Sequence, residues 1–208
     1  MTIHYEIQPL FPKPLYKSKV DVGLTEESID FIKNQKTFEN PSNLISINKS
    51  LLENPILEKL NEAIHIHLNI FLKEIMGVKD CEAYITQSWS LVNMPGHGMH
   101  EHSHSNSLIS GSYYFTDMPD PGSDMVFNRY VGNQSILKPN LDEGKINYYN
   151  MPDMPVQMEK HDLFLFPSDV SHQIEKNRSS KPRYSIAFNS FVRGKLGHYD
   201  YANLLTLN

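Results

Sequence analysis

Three histidines stand at alternate positions in Met99-His100-Glu101-His102-Ser103-His104, and an apolar, aromatic run, Ser107-Leu108-Ile109-Ser110-Gly111-Ser112-Tyr113-Tyr114-Phe115, follows at once. On an extended backbone the three imidazoles share one face, because side chains alternate across a strand. A face of that kind suits a metal ion.

A second stretch supports the same architecture. Asp162-Leu163-Phe164-Leu165-Phe166 reads as a short buried strand, Pro167-Ser168-Asp169 as a turn, and His172 opens a further strand with Gln173-Ile174. Beyond it, Pro182-Arg183-Tyr184-Ser185-Ile186-Ala187-Phe188-Asn189 alternates. Arg183, Ser185, Ala187 and Asn189 fall on one face, and Tyr184, Ile186 and Phe188 on the other. The first face is small and polar apart from one cation.

More strands surround these. Ala83 to Asn93 is rich in β-branched and aromatic residues, and Pro95-Gly96-His97-Gly98 turns the chain toward the histidines. Strands are predicted at 107–117, 124–129, 154–158, 162–167, 172–176 and 182–193. Many short strands with Pro/Gly/Asp turns indicate a sandwich or barrel.

The first 80 residues read differently. Residues 3–20 carry three prolines and predict an extended edge segment. Thr25 before Glu26 and Glu27 predicts a capped short helix, broken by Asn40-Pro41-Ser42-Asn43. The strongest helical periodicity covers about 55–76, where Ile56, Leu57, Leu60, Ile64, Leu68, Phe71 and Ile75 form a stripe suited to packing on a sheet. His65 and His67, two apart on a helix, cannot share a face. Between 118 and 157 two Pro/Gly/Asp clusters bracket a polar stretch with Tyr130, Tyr148 and Tyr149, read as a substrate-facing lid.

Composition sets limits. With 208 residues, 39% hydrophobic and 21% charged, the chain reads as one globular domain (1–208) with elaborations. A net charge of −5 without a basic patch argues against nucleic acid as partner. Cys81 is the only cysteine, which excludes an intrachain disulfide. No run approaches the roughly 18 apolar residues of a membrane span, and the N-terminus lacks the basic start and apolar run of a signal peptide. The expectation is a cytoplasmic protein with no membrane partner.

As an ordered set, Trp89, the His-x-His-x-Asn-Ser-x-Ile-Ser-Gly-x-Tyr-Tyr run of 102–114, Leu165-Phe166-Pro167-Ser168 with His172, and Arg183-x-Ser185-Ile186-x-Phe188-Asn189 resemble the Fe(II)- and 2-oxoglutarate-dependent oxygenases. More narrowly they resemble a branch found in bacteria and phages, over residues 84–193. The resemblance implies a mainly β fold with flanking helices, a double-stranded β-helix (jelly-roll, cupin-like) over 82–193 with 1–80 packed outside. It implies an oxidoreductase, a dioxygenase that couples oxidative decarboxylation of 2-oxoglutarate to oxidation of a small-molecule or peptide substrate, with Fe(II), 2-oxoglutarate and O2 as cofactor and cosubstrates.

Residue by residue, the resemblance assigns the metal to His102, His104 and His172. The superfamily's first two ligands usually come as His-x-Asp or His-x-Glu; here the carboxylate is replaced by His104. Three neutral imidazoles leave the metal its full +2 charge, which the 2-oxoglutarate dianion can offset. His100 with His102, Asn106, or Asp169 stand as alternative contributors. Arg183 suits the far carboxylate of 2-oxoglutarate through its bidentate fork, with Ser185 and Asn93 beside it. Trp89, Tyr113, Tyr114 and Asn189 are expected to line the substrate pocket. Two other functions compete: a cupin-like three-histidine metalloenzyme that does not use 2-oxoglutarate, and a noncatalytic jelly-roll binding module. A homodimer remains open.

Overall fold

The computed structural model describes residues 3–119, 123–129 and 139–208. In chain order the elements are β1 (Tyr16–Lys19), α1 (Glu26–Lys33), β2 (Thr37–Glu39), β3 (Leu44–Ser46), α2 (Glu58–Ile70), β4 (Cys81–Asn93), β5 (Met99–His102), β6 (Ile109–Tyr113), β7 (Met125–Asn128), β8 (Asp153–Val156), β9 (Asp162–Pro167), β10 (His172–Ile174), β11 (Arg183–Leu196) and β12 (Leu205–Leu207). They form two antiparallel sheets. The larger runs β1-β9-β6-β11-β4-β3-β2, with β12 added to the far end of β11, and the smaller runs β5-β10-β7-β8.

The alternation of the strands decides where each face goes. On the outer face of the larger sheet, Ile109, Tyr113, Leu163, Leu165, Ile186 and Phe188 join Leu60, Ile64, Leu68 and Phe71 of the helical segment in one buried cluster. Four-residue spacing puts those helical residues on one stripe, as the periodicity predicts. The inner face packs Phe164 and Phe166 against Met125 and Phe127 of the smaller sheet, with Tyr114 and Met158. Two sheets facing across an apolar interior, with helices outside, make the double-stranded β-helix expected from the sequence.

Local chemistry explains the ends of the elements. Thr25 caps α1, its hydroxyl accepting the Ser28 amide at 3.2 Å. The segment predicted as one helix over 55–76 is a 3-10 turn (Pro55–Leu57), then α2, then a π-helical turn (Phe71–Ile75). Gly111 lies where β6, β9 and β11 meet. A Cβ there would intrude on the Phe188 ring and stand 2.7 Å from the Phe164 carbonyl oxygen.

Two features differ from the sequence reading. Asn40 to Asn43 does more than end a helix: it is the tight connection of the β2–β3 hairpin, with the Asn40 side chain accepting the Ser42 and Asn43 amides, both at 2.8 Å. β2 and β3 are short, three residues each, which is why alternation did not reveal them. Within 118–157, β7 and β8 fall where strands are predicted at 124–129 and 154–158, and both belong to the smaller sheet. Arg129 joins the end of β7 to the stretch before β8, donating from Nε to the Met151 carbonyl at 2.7 Å and from Nη2 to that of Tyr148. Tyr130, part of the lid reading, lies outside the described residues. No helix among the described residues is long and apolar enough to cross a membrane.

Candidate metal centre

β5 is an edge strand of the smaller sheet and pairs with β10 so that His102 stands opposite His172. His104 follows just past the end of β5, where its amide donates to the Ser168 carbonyl at 2.9 Å and so fixes it against the β9–β10 turn. The strand, its neighbour and the turn bring three imidazoles together. Ring centroids are 4.3 Å apart for His102 and His172, 5.1 Å for His102 and His104, and 5.2 Å for His104 and His172. One nitrogen from each lies within 4.8 Å of the other two, and among the described residues this is the one such group of potential ligands.

The protonation state favours coordination. Burial pushes His172 down to about 3, helped by the nearby His102 and His104, and pushes His104 down to about 4, helped by His102. Burial also lowers His102. All three are therefore neutral near pH 7, the form that ligates. His102 Nδ1 lies 2.8 Å from the His100 carbonyl and His172 Nδ1 3.0 Å from that of Val170. A carbonyl can only accept, so each ring carries its proton on Nδ1 and turns the Nε2 lone pair inward, the arrangement that orients metal-bound histidines.

The alternative ligands stand elsewhere. His100 is exposed, its Nδ1 2.8 Å from Ser42 Oγ. Asp169 pairs with Lys13 at 2.6 Å on the surface. Glu101, which is not among those alternatives, accepts the Ser171 hydroxyl at 2.7 Å. Asn106 occupies a left-handed turn at φ 55°.

Arg183 begins β11 on the inner face of the larger sheet and is 3% exposed. Its Nη1 donates to Ser123 Oγ, while Nε has no partner and no carboxylate pairs with the guanidinium among the described residues. A buried, uncompensated guanidinium is costly; burial also lowers its pKa. An entering carboxylate relieves both strains. The site therefore fits a carboxylate cosubstrate beside a divalent metal. Ser185, also buried, shares the Arg183 face two residues on.

The remaining predicted site residues divide. Trp89 pairs with Ala187 and Asn189 with Ser110, both on the inner face. Asn189 Oδ1 accepts the Ser110 hydroxyl at 3.0 Å, within a serine network that reaches Ser168 and Ser107. Tyr114 is buried in the interior cluster, where the charge of Arg183 acts on its phenol. Asn93 lies opposite Arg183, but its amide donates to the Gly98 carbonyl at 3.3 Å and so shapes the turn before β5. Tyr113 is a correction: it points outward into the helix-side core, its hydroxyl donating to the Val20 carbonyl at 2.8 Å. Its neighbour Tyr114 takes the inner face because adjacent strand residues alternate. Ser123, the partner of Arg183, was missed, since nothing in its local sequence distinguishes it.

Fold and site together define a double-stranded β-helix with a cluster of three histidines able to hold a metal and a buried guanidinium able to receive a carboxylate. Residues 87–189, about half of the chain and the stretch that holds the triad, Arg183 and Ser185, match the family model of 2OG-Fe(II) oxygenases. Over that stretch the chain matches the 2OG-Fe(II) oxygenase family, whose metal is Fe(II) and whose cosubstrate is 2-oxoglutarate. No curated sequence matches the chain.

Solved structures agree in fold. A 2OG-Fe(II) oxygenase family protein from Burkholderia pseudomallei is 12% identical, with 85% of this chain and 83% of that one covered and a TM-score of 0.57. The epimerase SnoN of nogalamycin biosynthesis, solved with Fe3+, α-ketoglutarate and nogalamycin RO, is 14% identical over 93% and 86% of the two chains, with a TM-score of 0.61. HygX from Streptomyces hygroscopicus, solved with nickel and 2-oxoglutarate, is 11% identical over 86% and 82%, with a TM-score of 0.58.

Proposed function

We propose that this chain is a 2-oxoglutarate-dependent dioxygenase in which His102, His104 and His172 hold Fe(II) while Arg183 and Ser185 hold the far carboxylate of 2-oxoglutarate. The observation that carries this assignment is the buried guanidinium with an unpartnered Nε on the sheet facing the triad. A metalloenzyme that did not use a dicarboxylate would have no need of that cation, and this favours the oxygenase over the cupin-like reading. Neutral, pre-oriented imidazoles likewise favour a working centre over a noncatalytic module.

Fe(II), when bound, supplies the activation of O2 that couples decarboxylation of 2-oxoglutarate to oxidation of a second substrate. The chain's own residues do the rest. The His100 and Val170 carbonyls fix the tautomers of His102 and His172. Arg183 orients the cosubstrate, and Ser185 adds a hydroxyl donor. Phe127, Phe166 and Tyr114 keep water from the interior beneath the triad. The prime substrate is a small molecule or peptide rather than nucleic acid, given the net charge of −5. A cytoplasmic setting fits a chain with one free cysteine.

Formation of succinate from 2-oxoglutarate in air is the test. Fe(II)-loaded protein is expected to convert 2-oxoglutarate to succinate slowly even without prime substrate, and His172→Ala to abolish this. Equal succinate formation by the two proteins would overturn the assignment.

A further inference from the structure

The inner face of the larger sheet continues past the smaller one. Register places Phe38, Ile45, Leu91 and Ser185 side by side across β2, β3, β4 and β11. Directly opposed residues share a face, and neighbouring strands are about 4.8 Å apart. The row therefore runs roughly 14 Å from the sheet edge to the cosubstrate anchor. Trp89, two residues from Leu91, lies on the same face.

The interior cluster formed with the smaller sheet draws on β9 and the Tyr114 end of β6, and includes none of this row. Accordingly Phe38 is 48% exposed, and Ile45, Trp89 and Leu91 are only partly buried. Among the described residues, an apolar strip that ends at Ser185, on the same face as Arg183, is left open. The centre is adjacent: the β2–β3 turn touches β5 through Ser42 and His100.

One charge overlooks the strip. The Lys49 ammonium lies 5.1 Å from the centroid of the Phe38 ring and 5.9 Å from that of Trp89. It donates to the Ser46 carbonyl, and no carboxylate pairs with it among the described residues. Burial pulls its pKa below the ordinary lysine value. A partly desolvated cation held over two aromatic rings without a counter-ion is a receptor for an anion.

We propose that the strip of Phe38, Ile45, Trp89 and Leu91 seats the prime substrate, and that this substrate is a small organic anion whose apolar body lies on the strip while its acidic group meets Lys49. The inference rests on the oxygenase reading and adds the substrate class. The apolar contacts hold the body, Lys49 selects the charge, and the strip directs the far end of the molecule toward the triad.

Trp89 is the only tryptophan of the chain, so its emission reports this site alone. The protein is loaded with Fe(II) and saturating 2-oxoglutarate without oxygen, which occupies Arg183, and titrated with cyclohexanecarboxylate or its neutral isostere cyclohexanecarboxamide. The expected result is a saturable change in Trp89 emission with the carboxylate, and binding weaker by about ten-fold, or about 1.4 kcal/mol, with the amide. Lys49→Met is expected to erase that preference and Lys49→Arg to keep it.

Equal binding of the two probes, a preference that survives Lys49→Met, or no saturable change would overturn the inference. The visible band of the iron–2-oxoglutarate complex is read in the same cuvette. If the band is present and Trp89 is silent, the substrate class fails alone; if the band is absent, the oxygenase reading fails and the inference with it.

Discussion

His102 and His172 stand opposite one another across the β5–β10 ladder, their ring centroids 4.3 Å apart. The register of two short strands thus sets the core of the candidate metal centre. His104 completes it from a turn, held by the Ser168 carbonyl.

Because each imidazole supplies one position, His102→Ala or His172→Ala is expected to leave two ligands and weaken Fe(II) binding by at least about 100-fold, the upper end of the loss seen when even the groups around a ligand are altered. Calorimetric titration with Fe(II) under argon checks this. His100→Ala, by contrast, is expected to bind metal as the unaltered protein does, since that ring bonds Ser42.

The same burial makes the metal-free protein acid-sensitive. The folded-state pKa values of His104 and His172 are about 4 and about 3, and that of His102 is also lowered. In the unfolded chain each returns to about 6.5. Below that pH the unfolded state binds protons that the folded state refuses, so stability falls as pH drops from about 6.5 toward 4. Each histidine adds up to about 1.4 kcal/mol per pH unit. Above pH 7 the three contribute no slope. Urea melts of metal-free protein between pH 7.5 and 4.5, compared with those of His172→Phe, are expected to show a shallower dependence in the variant.

Gly111 is expected to tolerate no side chain. A Cβ there meets the Phe188 ring and the Phe164 carbonyl, so Gly111→Ala should cost about 1–3 kcal/mol through overpacking. Thermal unfolding measures it.

Much of this architecture was legible in the sequence. The alternation of Arg183, Ser185, Ala187 and Asn189 against Tyr184, Ile186 and Phe188 gave the faces of β11 correctly, because one face is a buried apolar layer. The His102/His104 pair and the distant His172 were legible for a similar reason: strand spacing and a Pro-Ser turn fixed where each histidine must point. Tyr113 and Tyr114 were not separable, since two adjacent aromatics both satisfy a buried strand and only the pairing of β6 with β11 decides which faces the helices. The β2–β3 hairpin was hidden because strands of three residues carry no readable period. Lys49 and Phe38 escaped with it, as their proximity to Trp89 depends on that hairpin. Ser123 reaches Arg183 from a loop 60 residues earlier, a contact that only the tertiary fold creates.

A visible spectrum reads most directly whether the triad and Arg183 together hold iron and 2-oxoglutarate. Fe(II) and then 2-oxoglutarate are added to the metal-free protein without oxygen, and the visible spectrum is recorded for the native chain and for Arg183→Met. A weak charge-transfer band that requires both additions is expected in the native protein. In Arg183→Met the band should appear only at about 10- to 100-fold higher 2-oxoglutarate, as expected for loss of one charge-assisted carboxylate contact. A band of equal strength at equal 2-oxoglutarate in both proteins, or none in the native protein with iron bound, would contradict it.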